Sequence, residues 1–192
     1  MTSTDLSSRE PLLPGNTIGI LGGGQLGRML AVAASKLGLN THIFCPDQES
    51  PAFDVAKFHT IAPYDDNDAL KEFAASVDLV TYEFENVPAK TAHLIEEHVL
   101  LAPGVKALKT SQDRLLEKKF LQELNIAISP FEPVGSPEQF LEAIKIIGTP
   151  PVLKTTRFGY DGKGQRIIKT AKNAHSAYKE FAGKQLVLEA FV

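Results

Sequence analysis

Between residues 17 and 101, short apolar runs alternate with longer stretches of helical periodicity, and this alternation narrows the possible folds more than any other feature. The runs at 17–21, 41–45, 58–61, 79–81 and 99–101 have strand length, whereas 25–37, 67–76 and 89–98 read as helices. A strand followed by a helix and another strand packs most simply as a parallel, doubly wound α/β sheet, here Rossmann-like. In the first helix Leu26, Met29, Leu30, Ala33 and Leu37 fall on one face at 3.6-residue spacing, and Gly38 and Asn40 stop it.

A different pattern follows. Residues 111–124 read as one helix striped by Leu115, Leu116, Phe120 and Leu124. The segment 126–134 holds two prolines and reads as an extended linker. Ser136, Pro137 and Gln139 supply an N-cap, a first-turn proline and a capping-box partner for the next helix. Strand 151–154, a glycine loop, strand 165–169, helix 173–182 and a last strand from 186 complete an α+β unit. The expected domains are a leader over 1–16, a Rossmann-like domain over 17–110, a connecting helix over 111–125 and a smaller α+β unit over 126–192.

Composition excludes several classes. A net charge of −3 is not the basic balance that nucleic acid requires. No apolar run reaches membrane-spanning length. Residues 1–16 carry Asp5, Arg9 and Glu10 without an apolar core, unlike a targeting peptide. Cys45 is the single cysteine, so no internal disulfide forms, as suits a reducing compartment. The five histidines show no metal-ligand spacing, and no metal site is assigned.

Three constellations carry chemistry. Gly159, Tyr160, Asp161, Gly162, Lys163, Gly164 and Gln165 form a flap after an apolar strand that ends in Lys154. Its backbone N–H groups and two lysines suit the phosphates of a nucleotide triphosphate, although the spacing is not that of a Walker A loop. A glycine-rich hairpin tip is the plainer reading. Gly22, Gly24 and Gly27 fit Gly-x-Gly-x-x-Gly between a strand and a helix, and Asp47 lies where an NAD-binding acid belongs, so a dinucleotide oxidoreductase is a rival. Glu83 and Glu85 flank Phe84 after the fourth strand; on an extended segment both point one way, as a ribose clamp or as a solvated pair at a helix start.

The glycine flap, with Lys154 to Gln165 read as KTTRFGYDGKGQ, resembles the phosphate loop of ATP-grasp enzymes, and specifically the N5-carboxyaminoimidazole ribonucleotide synthetase family. The resemblance runs from about residue 17 to 192 and includes GGGQLGRM at 22–29, YEFENVP at 82–88 and SQDR at 111–114. It implies an ATP-dependent carboxylation of 5-aminoimidazole ribonucleotide by bicarbonate, through carboxyphosphate. By resemblance ATP contacts Arg114, Lys154, residues 159–165 and the hinge of Glu189, Ala190, Phe191 and Val192. Gln25, Leu26 and Glu83 contact the ribonucleotide. Tyr160, Asp161 and Lys163 sit at the reacting centre, with Asp161 placed to orient or deprotonate the substrate amine. Lys118 and Lys119 read as solvated. Magnesium is implied, with ligands beyond residue 192, in a cytoplasmic homodimer. The final apolar segment suggests a chain cut from one roughly twice as long. A formate-using glycinamide ribonucleotide transformylase-like ligase shares the layout, and the flap sequence argues against it.

Overall fold

The structure is a computed structural model that describes residues 10–148, 150–159, 163–181 and 183–192, with Ala171 and Lys172 in their backbone only. The chain divides into two compact units, the first ending at Leu108 and the second beginning at Lys109. No described helix is long and apolar enough to cross a membrane.

In the first unit the strands β1 (Thr17–Leu21), β2 (Asn40–Cys45), β3 (Phe58–Ile61) and β4 (Leu79–Tyr82) pair in parallel, in the order β3-β2-β1-β4. The helices α1 (Gln25–Lys36), α2 (Asn67–Ala75) and α3 (Ala89–His98) supply the crossovers, and α4 (Val105–Ser111) follows. Neighbouring strand residues face opposite ways. Leu21, Phe44 and Val80 therefore join Leu70, Phe73 and Ile95 in one core, whereas Ile20, Ile43 and Cys45 join Ala52 in another. Full burial of a side chain such as Phe73 contributes about 1.5–3 kcal/mol.

In this unit two expectations do not hold. Residues 99–101 do not form a strand: Leu101 makes one parallel bridge to Val80, and Pro103, two residues on, has no N–H to extend the pairing. The apolar face of α1 is not its packed face. Gly27, Ala31 and Ala34 are buried, whereas Leu26, Met29, Leu30 and Leu37 are 41–68% exposed. The glycine turn brings α1 so close to β1 that only small residues fit; a Cβ on Gly27 would lie 2.8 Å from the Gly22 carbonyl oxygen.

The second unit contains α5 (Arg114–Glu123), β5 (Phe131–Val134), α6 (Pro137–Ile147), β6 (Pro151–Thr155), β7 (Gln165–Ile167), α7 (Ala171–Glu180) and β8 (Leu186–Ala190). Its sheet is antiparallel, in the order β5-β8-β6-β7. Leu153, Leu188, Phe140, Ile168 and Phe181 fill its core. The expected helix over 111–124 is broken, because the Asp113 carboxylate accepts the N–H groups of Leu115 and Leu116 and starts α5 afresh. The expected linker over 126–134 ends in a strand. Pro133 is tolerated there because β5 is an edge strand. Ser136 caps α6 as expected, but Gln139 reaches back to the Gly135 N–H, one residue before the N-cap.

Candidate functional site

In the second unit, register decides which side chains meet. Glu189 on β8 lies opposite Val152 on β6 and Phe131 on β5, so the three share one face of the sheet. Lys154, two residues beyond Val152, shares it too. Its Nζ donates to Glu189 Oε2 at 2.9 Å. Lys118 reaches the same oxygen from α5 at 3.3 Å, donates to Ser129 Oγ at 3.1 Å and lies 5.4 Å from the centre of the Phe131 ring. Lys118 is thus not solvated: its side chain is 13% exposed, less than that of Lys154 at 23%. Glu189 is buried, and its Oε1 accepts no hydrogen bond from a described residue.

Arg114 opens α5, and its backbone N–H donates to the Thr156 carbonyl. Its guanidinium donates to the carbonyls of Thr155 and Gly159, at the two ends of the segment leading into the glycine flap. A Cβ on Gly159 would fall on that guanidinium. The flap returns at Gly164, whose φ of +69° is the left-handed region and whose carbonyl accepts the Thr155 N–H at 2.9 Å. Gln165 then enters β7 opposite Lys154. Lys163 is exposed. The apex of the flap, with Tyr160, Asp161 and Gly162, lies outside the described residues. Ala190 closes β8, and Phe191 and Val192 follow it, exposed.

In the first unit the glycine turn after β1 carries a carboxylate. Glu83 Oε1 accepts the Gly24 N–H at 2.8 Å, at the N-terminus of α1. Burial pushes the Glu83 carboxyl up from its ordinary value, the Gly24 N–H pulls it down and the charge of Glu85 adds a smaller upward push. β4 ends at Tyr82, the chain turns, and Glu85 is exposed and accepts from Asn86 Nδ2. The strand alternation behind the expected pair does not extend that far. Gln25 and Leu26, at the start of α1, are exposed. Among the described residues no group of three or more His, Cys, Asp or Glu side chains could hold a metal ion.

Residues 15–112 match the family described as the ribonucleotide synthetase preATP-grasp domain. The chain belongs to that family. Residues 119–192 match the ATP-grasp domain, which gives the α/β unit and the antiparallel unit after it their places in a preATP-grasp and ATP-grasp tandem. The chain is 45% identical over 186 residues to the N5-carboxyaminoimidazole ribonucleotide synthase of Brucella melitensis, across 96% of this chain and 51% of that protein. It is 43% identical over 190 residues to the bifunctional purine synthesis protein purC/E of Dictyostelium discoideum, across 99% of this chain and 19% of that one. Among solved structures it is similar to the Staphylococcus aureus N5-carboxyaminoimidazole synthetase complexed with ADP, with a TM-score of 0.90 and 37% identity over 94% of this chain and 48% of that one. The chain spans about half the length of the curated synthases it matches.

Membership in the preATP-grasp family gives the glycine turn a setting other than an NAD site. Sequence reasoning missed Lys118. One signal was available: it lies four residues after Arg114 and so on the same helix face.

Proposed function

We propose that this chain carries the ribonucleotide-binding domain and the start of the ATP-binding domain of an enzyme that carboxylates 5-aminoimidazole ribonucleotide to N5-carboxyaminoimidazole ribonucleotide, with ATP and bicarbonate as co-substrates. The observation that carries this reading is the tandem of preATP-grasp and ATP-grasp matches, in a chain whose glycine flap leaves a strand bearing Lys154.

In this reading ATP lies over the antiparallel sheet of the second unit. Lys154 and Lys163 meet its phosphates, with the backbone of Gly159, Gly162, Gly164 and Gln165 closing over them. Arg114 holds the start of the flap, and the β8 end from Glu189 to Val192 meets the base. Bicarbonate is a poor electrophile; transfer of the γ-phosphoryl group to one of its oxygens, with release of ADP, makes it an activated anhydride. Attack by the ribonucleotide's amine on the carbonate carbon then expels phosphate. A closed flap excludes water from that anhydride. Tyr160 and Asp161 stand at the flap apex, where Asp161 accepts or orients the proton of the attacking amine. Gln25, Leu26 and Glu83 hold the ribonucleotide in the first unit, where Glu83 is placed to accept ribose hydroxyl hydrogens. Magnesium belongs to this reading as the companion of ATP. The described residues offer it no cluster of ligands. Cytoplasmic location and a homodimeric full-length enzyme complete the reading and rest on the resemblance.

The test is a two-by-two measurement on the full-length protein. Lys154→Ala should weaken transition-state stabilisation by about 2–4 kcal/mol through ATP, leaving ribonucleotide affinity unchanged. Glu83→Ala should weaken the ribonucleotide and spare ATP. Loss of ATP or NADH binding in Glu83→Ala, with the ribonucleotide untouched, overturns this division of labour.

A further inference from the structure

Lys154 and Lys118 share one oxygen of a buried carboxylate, and they are not equivalent. Lys118 is the more buried, and Ser129 Oγ and the Phe131 ring hold it as well. Among the described residues the side chain of Lys154 is held by Glu189 Oε2 alone; it is more exposed and stands one residue from the end of β6, where the flap segment begins. Glu189 therefore draws its compensation from one fixed ammonium and one that can move. A buried carboxylate stripped of countercharge is strongly unfavourable. With both lysines present, Lys154 can turn toward a phosphate while Lys118 still neutralises Glu189. With Lys118 gone, Lys154 becomes the only countercharge and is retained.

We propose that Lys118 is a positioning residue for nucleotide binding, which anchors Glu189 from α5 and so frees Lys154 to reach the phosphates. This inference rests on the ATP reading of the second unit. It assigns Lys118 no contact with substrate; its effect passes through Glu189 and Lys154.

The experiment measures, by titration calorimetry on the full-length protein, the affinities of ATP (with magnesium) and of adenosine, which has no phosphate. Lys118→Met, which removes the charge and keeps most of the stem, should weaken ATP by about tenfold or more and leave adenosine nearly unchanged, since a charge-assisted phosphate contact is being withheld. Lys118→Arg should restore ATP affinity. In a Glu189→Gln background, where nothing captures Lys154, adding Lys118→Met should change ATP affinity by less than about threefold, the coupling a double-mutant cycle reads. That pair also serves if the single variant does not fold. Equal losses for ATP and adenosine in Lys118→Met mean a structural role and overturn the proposal, as does an unchanged ATP affinity. A wild-type protein that binds no ATP overturns the nucleotide reading itself, an outcome distinct from any behaviour of the variants.

Discussion

Glu83 Oε1 sits 2.8 Å from the Gly24 nitrogen, so a side chain at the end of β4 holds the turn that leaves β1 and enters α1. The contact is possible only because the turn carries no side chains. A Cβ on Gly24 would lie 3.1 Å from that carboxylate oxygen, and one on Gly22 would lie 2.7 Å from it.

Gly22→Ala should therefore be costly twice over. Gly22 has a φ of +112°, which an L side chain rarely adopts, and the new methyl would push Glu83 off Gly24. A loss of about 1–3 kcal/mol is expected from backbone strain alone. Urea unfolding of the purified variant reads it; a midpoint equal to wild type would show that the turn tolerates a side chain.

Glu83 also predicts a pH dependence. Burial raises its carboxyl in the folded protein, so the folded state keeps a proton that the unfolded chain releases. The stability this contributes is fully present below the unfolded value of about 4.3 and is lost as pH rises through the raised folded value. Glu83→Gln keeps an acceptor for Gly24 and cannot ionise. Relative to this variant, wild type should lose stability as pH rises across that window, as urea midpoints at a series of pH values would show. Parallel curves for the two proteins contradict the assignment.

Arg114 should resist replacement by lysine. Its planar fork serves two carbonyls, those of Thr155 and Gly159, which a single ammonium at the end of a flexible stem does not match in geometry. Arg114→Lys and Arg114→Ala should both speed amide hydrogen exchange over residues 155–159 by about fivefold, the loss of roughly one kcal/mol of local protection. The strands of the first unit should exchange as before. An effect confined to the alanine variant would mean that charge, not the fork, holds the segment.

The parallel sheet was legible in the alternation of apolar runs, because each buried strand and its crossover helix leave separate periodicities in the chain. β1 and β3 fall where the pattern places them, and Ser136 starts α6 through its own side chain. The break at Asp113 was less visible, since a carboxylate that caps one helix can equally ride on the surface of another. Pro133 hid β5, because a proline argues against a strand until an edge position is known.

In the candidate site the chain by itself determined which chemical groups exist: the glycines of the flap, Lys154 before it, Glu189 on the last strand and Glu83 after β4. Their residue types and local spacing are properties of short segments. Tertiary structure alone decided how those groups are used. The register of β6 against β8 brought Lys154 to Glu189, and the packing of α5 brought Lys118 to the same oxygen. The close approach of α1 to β1 buried its small residues and turned its large apolar ones outward. Helical periodicity records that a face is apolar, but which face meets the sheet depends on the distance between backbones, and here the glycine turn made that distance too short for leucine.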